Sequence, residues 1–142
     1  MQLSAALRER NRIDYDRALT ASESPHRRDF ADPLDPRLEC RLGRLRVSDQ
    51  ISEAEYLGGV KWRGVHQAYM HSIQSPEDLT DEQCELAVKA YERGRSIMKS
   101  QGERVLHAVN AIVVYEDPEE LGDYQFTVTA ARIGLSALAS RF

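Results

Sequence analysis

The sequence has little of what catalytic and metal-binding proteins need. It holds two cysteines, Cys40 and Cys84, far apart and without CxxC or Cys/His spacing, which argues against a zinc centre or a redox pair. Two reduced thiols are the simple expectation, and the composition leaves a disulfide open. The four histidines, His26, His66, His71 and His107, include no i, i+4 pair and no HExxH or HxH, so no metal site is expected. There is no GxSxG, and the nearest approach to a glycine-rich phosphate cradle, LGGVKWRG, falls inside a predicted helix. No apolar run approaches the ~20 residues that cross a bilayer. The N-terminus mixes charges of both signs with apolar residues, unlike a secretory signal, so the expected setting is a cytoplasm. No cofactor and no enzymatic activity are expected.

A strongly basic balance is also missing. The net charge is −4, which does not fit a protein that is basic all over and wraps nucleic acid. Residues 1–66 hold 12 Lys/Arg and 11 Asp/Glu, a net of +1, while residues 67–142 hold 7 and 12, a net of −5. Any contact with DNA would therefore need a local patch in the first half. The acidic second half suits basic or apolar partners.

What is present is helical. With 142 residues, 42% hydrophobic and 30% charged, the composition fits one soluble domain. Ser4 to Ala21 has good helix formers with Ala6, Leu7, Ile13, Ala18 and Leu19 loosely periodic, and SESPHRRDFADPLDP after it reads as linker. This divides the chain into an N-terminal helical arm and linker, 1–33, and a helical core, 34–142. The arm offers a route to a homo-oligomer.

Asp35-Pro36 is an N-cap followed by proline, predicting a short helix with Leu38, Leu42 and Leu45 on one stripe and Arg37, Arg41 and Arg44 beside it. Ser52/Glu55 and Thr80/Gln83 are capping boxes, with Ile51/Tyr56 and Leu79/Cys84 at staple positions, and they start helices near Glu53 and Asp81. Gly58 and Gly59 inside the first of these suggest close helix packing. QSPEDL joins the two helices as antiparallel neighbours. Gln101-Gly102 stops the second. Val105, Leu106, Val109, Ile112 and Val113 predict another helix, although the β-branched tail Ala111 to Tyr115 also suits a short strand. The last segment places Val128, Ala131, Leu135, Leu138 and Phe142 on one helical face. The expected fold is all-α, a compact bundle of five to six helices.

Three constellations compete for function. Arg37, Arg41, Arg44 and Arg46 form a basic stripe able to meet phosphates and guanine edges, though Asp35 and Glu39 dilute it. Trp62, His66 and Tyr69 share one helical surface, either as core aromatics or as a contact face for protein or for stacked single-stranded bases. Glu116, Asp117, Glu119 and Glu120 form an acidic group suited to a basic partner, beside their ordinary role as charges at a helix start. A helix-turn-helix over LGRLRVSDQISEAEYLGGVKWR is disfavoured: its turn is long, and its second helix opens with Glu53 and Glu55.

The stretch LGRLRVSDQISEAEYLGGVKWRGVHQAY and the closing RIGLSALASRF resemble a group of uncharacterised small proteins from phages and prophages of alphaproteobacteria. Those share the short Leu/Arg helix, the I-S/T-x-A-x-Y helix start and a last helix ending G-L-x-A-L-A. The resemblance covers about half the chain. It implies a common helical fold, a phage origin and residence in the host cytoplasm, and it assigns no catalytic residues. Two functions follow as expectations: a DNA-associated regulator or packaging accessory acting on double-stranded DNA, or an inhibitor of a host nucleic-acid-binding defence complex, of anti-CRISPR or anti-restriction type.

Overall fold

In the computed structural model the described residues are 30, 32, 34–116 and 124–142. The predicted helix Ser4–Ala21, and Asp117, Glu119 and Glu120, lie outside them. Asp35 and Pro36 do begin a helical turn, and the Asp35 carboxylate accepts the Arg37 N–H at 2.9 Å. The turn is short, a 3₁₀ segment over Pro36–Glu39. Cys40 then adopts an extended backbone (φ −125°, ψ 155°), and a separate helix α1 spans Arg41–Val47. The single helix predicted here is therefore two elements. The break gives α1 its own caps: Cys40 Sγ accepts the Gly43 N–H at 3.4 Å, and Glu116 Oε1 accepts the Arg41 N–H at 2.8 Å. Leu38, Leu42 and Leu45 are buried as their spacing requires.

Helix α2 spans Glu53–Gln74 and α3 spans Asp81–Lys99, each opened by its capping box with both reciprocal bonds formed. QSPEDL contains a 3₁₀ turn, Pro76–Asp78. The helices run antiparallel, since Trp62 meets Gly94 and Tyr69 meets Tyr91. Along α3 the acids Asp81, Glu82 and Glu85 come first and Arg93, Arg95 and Lys99 last, the order that the helix's own field favours. Gly102, at φ 124°, makes the turn into α4, Glu103–Val113. Val114 keeps helical dihedrals (φ −100°, ψ −54°), so the β-branched tail completes a helix and forms no strand. Helix α5, Tyr124–Arg141, lies against α2, α3 and α4 and buries Val128, Ala131, Leu135 and Leu138. Gly58 is the close approach of α2 to α5, where an added Cβ would sit 3.2 Å from the Leu135 carbonyl oxygen. Gly59 abuts Leu42. Among the described residues the fold is thus an all-α bundle of five α-helices without strands.

Glu55 does more than close a capping box. It is only 5% exposed; Oε1 accepts the Ser52 N–H at 2.8 Å, and Oε2 accepts the Ser136 hydroxyl at 3.0 Å and Arg132 Nε at 3.4 Å. The carboxylate pins the start of α2 to α5. Burial pushes its pKa up, but the hydrogen bonds from Ser52, Arg132 and Ser136 outweigh burial and hold it below the ordinary carboxylate value. A depressed folded pKa stabilises above the unfolded pKa, and that stability is lost as pH falls through the folded value. Glu55→Gln, which keeps the capping geometry, should accordingly be less stable than wild type at pH 7. The gap should close as the pH drops below the ordinary carboxylate range, read from urea midpoints. A gap independent of pH would show that the charge is not what matters.

Candidate functional site

The arginine stripe is used internally. Arg37 grips Asp35 through Nε (3.2 Å) and Nη2 (2.8 Å), a pairing that raises its pKa, and it stands on a different element from Arg41 and Arg44. Arg44 folds back so that Nη1 donates to the Leu38 carbonyl at 2.8 Å, and burial lowers its pKa. Arg46 is held by Glu53 (2.6 Å) and Asp49 (3.1 Å). Arg41 lies over the Tyr124 ring, 5.8 Å from its centroid, with Nε buried and unbonded. Carboxylates close in sequence, Asp35, Asp49 and Glu53, take much of the charge that the spacing alone offered to phosphate.

The aromatic group divides between core and rim. Trp62 is fully buried, and its indole N–H donates to Asn110 Oδ1 at 2.9 Å. Tyr91 stacks on Trp62 (5.5 Å, 19°) and on Tyr69 (3.8 Å, 2°). His66 sets its edge against Trp62, Tyr91 and Tyr115, and burial lowers its pKa. The rings chiefly stack on one another. Gly94 makes this possible, since its added Cβ would stand 2.7 Å from Trp62 Cζ3.

A small cleft brings Cys40, Arg63, His66, Gln67 and Glu116 together. Thiol, imidazole and carboxylate in one place suggest a nucleophile with a base. Here, however, the thiol and Glu116 both cap α1, and Arg63 Nε donates to the Val113 carbonyl at 3.3 Å. The groups are arranged as structural joints, and sequence reasoning missed the cap because cysteine seldom serves as one.

A basic group that the sequence did not suggest gathers at the end of the bundle where α5 finishes. Lys61 Nζ lies 4.5 Å, and Arg93 Cζ 5.8 Å, from the centroid of the Phe142 ring. Lys61 also donates to the Phe142 main-chain oxygen at 2.7 Å, Arg93 to the Arg141 carbonyl at 3.0 Å, and Arg141 to the Ser100 hydroxyl at 3.3 Å. All three are exposed, and among the described residues none has a carboxylate side chain within salt-bridge distance. Arg95 and Lys99 are exposed on the last turns of α3. At the opposite end, around the α2–α3 connection, Glu77, Asp78, Asp81, Glu82 and Glu85 are exposed with Ile73 and Leu86; His71 pairs with Asp78, and Lys89 with Glu85.

Comparison of the chain with protein-family models, with curated proteins and with solved structures finds no match. No helix among the described residues is long and apolar enough to cross a membrane.

Proposed function

We propose that the chain is a non-enzymatic, phage-encoded helical binding protein, a DNA-associated regulator or packaging accessory, that holds the phosphates of double-stranded DNA with Lys61, Arg93 and Arg141. The observation that carries this reading is that Lys61 and Arg93 converge on the Phe142 ring beside Arg141, with no carboxylate side-chain partner for any of the three among the described residues. Exposed arginine and lysine without a carboxylate partner bind phosphate backbone irrespective of sequence. The stripe Arg37, Arg41, Arg44 and Arg46 contributes by holding α1 and the start of α2 in place.

Electrophoretic mobility with double-stranded DNA at moderate salt tests the reading. Three phosphate contacts predict that log Kobs falls against log salt with a slope of about −2.7. The triple variant Lys61→Glu, Arg93→Glu, Arg141→Glu should lose the shift while keeping its far-ultraviolet circular dichroism. Arg46→Ala should retain it. No shift by the wild type, or a shift untouched by the triple variant, would sink the reading.

One observation favours a second reading, an inhibitor of a host nucleic-acid-binding defence complex. The acids around the α2–α3 connection, with exposed Ile73 and Leu86 among them, suit a basic, partly apolar protein surface. The mobility assay separates the two, since an inhibitor of this kind needs no DNA of its own.

A further inference from the structure

Helices α4 and α5 meet at Gly134, where an added Cβ would stand 2.6 Å from Val109 Cγ2 and 2.8 Å from Val105 Cγ1. Beside this seam the residues in the angle between the two helices are small. Ala108 and Ala130, 2% and 9% exposed, floor a cleft of about 470 Å³ together with Thr127. Its walls are larger: Arg104 and His107 from α4, and Phe126, 54% exposed, from α5. The volume falls within the ~300–1,000 Å³ usual for small-molecule sites, as does the pairing of an apolar floor with a few polar groups on one wall.

The charge of the walls is one-sided. Arg104 and His107 stand one turn apart on α4, both exposed, and among the described residues neither has a hydrogen bond, an ion pair or a ring contact. Arg37, Arg46 and Arg132, by contrast, each hold a carboxylate. No acid occurs in α5, and the one acid of α4, Glu103, stands a turn before His107 without reaching ion-pair distance. A guanidinium presents a planar fork of donors that matches a carboxylate, and an imidazole offers an N–H in either protonation state. One full positive charge beside an apolar floor and an aromatic ring suits a monoanion with a flat apolar body.

We propose that this cleft binds a small aromatic carboxylate, with its ring against Phe126, Ala108 and Ala130 and its carboxylate on Arg104 and His107. None of Lys61, Arg93 and Arg141 lines the cleft, and the site is independent of the DNA reading.

The test titrates the full chain with 2-naphthoate, followed by calorimetry and by the amide chemical shifts of ¹⁵N-labelled protein. The expected result is saturable one-to-one binding with a Kd under about 1 mM, and shifts concentrated on residues 104–108 and 126–130. 2-Naphthalenemethanol, which keeps the rings and loses the charge, should bind about tenfold more weakly. Arg104→Gln should weaken 2-naphthoate about tenfold and leave the alcohol unchanged, the mark of a contact made with the charge. Phe126→Ala should weaken both compounds alike, the mark of a contact made with the rings. Both positions are exposed, so each variant should keep the wild-type unfolding temperature. No saturable binding, shifts centred elsewhere, equal affinity for the carboxylate and the alcohol, or a 2-naphthoate affinity untouched by either variant would overturn the proposal.

Discussion

Trp62→Ala is expected to lower the unfolding free energy by about 3–5 kcal/mol, a large share of the ~5–15 kcal/mol typical of a whole domain. The indole is fully buried, touching Gly94, Tyr91 and Phe142, so alanine would leave a cavity that its close-packed neighbours fill only in part. The same loss strips Asn110 of its partner and Tyr91 of one of its stacks. Urea denaturation followed by circular dichroism measures the effect, since the only tryptophan is gone. A loss below about 1 kcal/mol would mean that the ring does not occupy the core.

Gly43→Ala should be nearly as damaging, for a different reason. Its Cβ would stand 1.8 Å from the Arg37 carbonyl oxygen and 2.6 Å from the Arg37 carbonyl carbon. Both are backbone atoms, so no rotamer change relieves the clash; the turn Pro36–Glu39 must move away from α1. Overpacking of this severity costs about 3 kcal/mol or more. The displacement would also pull Leu38 from the core and break the Arg44 bond to the Leu38 carbonyl. Thermal unfolding, with amide exchange of the α1 N–H groups, reads both consequences. Wild-type stability would show that α1 and the turn before it are not in contact.

The helix starts were legible because their causes are local. Ser52, Glu55, Thr80 and Gln83 satisfy backbone N–H groups within three residues of themselves, and no distant contact is needed to decide them. The split at Cys40 was not legible, since no proline or glycine stands at that position. It depends on Glu116, 75 positions away, and on the close approach of Gly43 to Arg37. Glu55 illustrates both cases. Its box is visible in the sequence, while its bonds to Arg132 and Ser136 span 77 and 81 positions.

The candidate site follows the same division. Spacing showed that Arg37, Arg41 and Arg44 repeat at helical intervals, but not that Asp35, Asp49, Glu53 and the Leu38 carbonyl would engage the stripe. Trp62, His66 and Tyr69 do cluster as their intervals imply, and Tyr91 from the neighbouring helix turns them into a self-contained stack. Lys61, Arg93 and Arg141 come from three helices and form no pattern along the chain. Only the antiparallel pairing of α2 with α3 and the crossing of α5 bring Lys61 and Arg93 to one ring and set Arg141 beside them.

The order of charges along α3 bears on the contact proposed above between a protein of net charge −4 and a polyanion. A helix of 19 residues is about 28 Å long, whereas at physiological ionic strength electrostatic influence decays over about 8 Å. Asp81 is 12 residues, about 18 Å or two screening lengths, from Arg93 and about 27 Å from Lys99, so on the proposed reading a polymer at the far end would feel little of its repulsion. Lowering the salt until the screening length matches the molecule would let the overall negative charge reassert itself and blunt the gain in affinity at the dilute end of a titration.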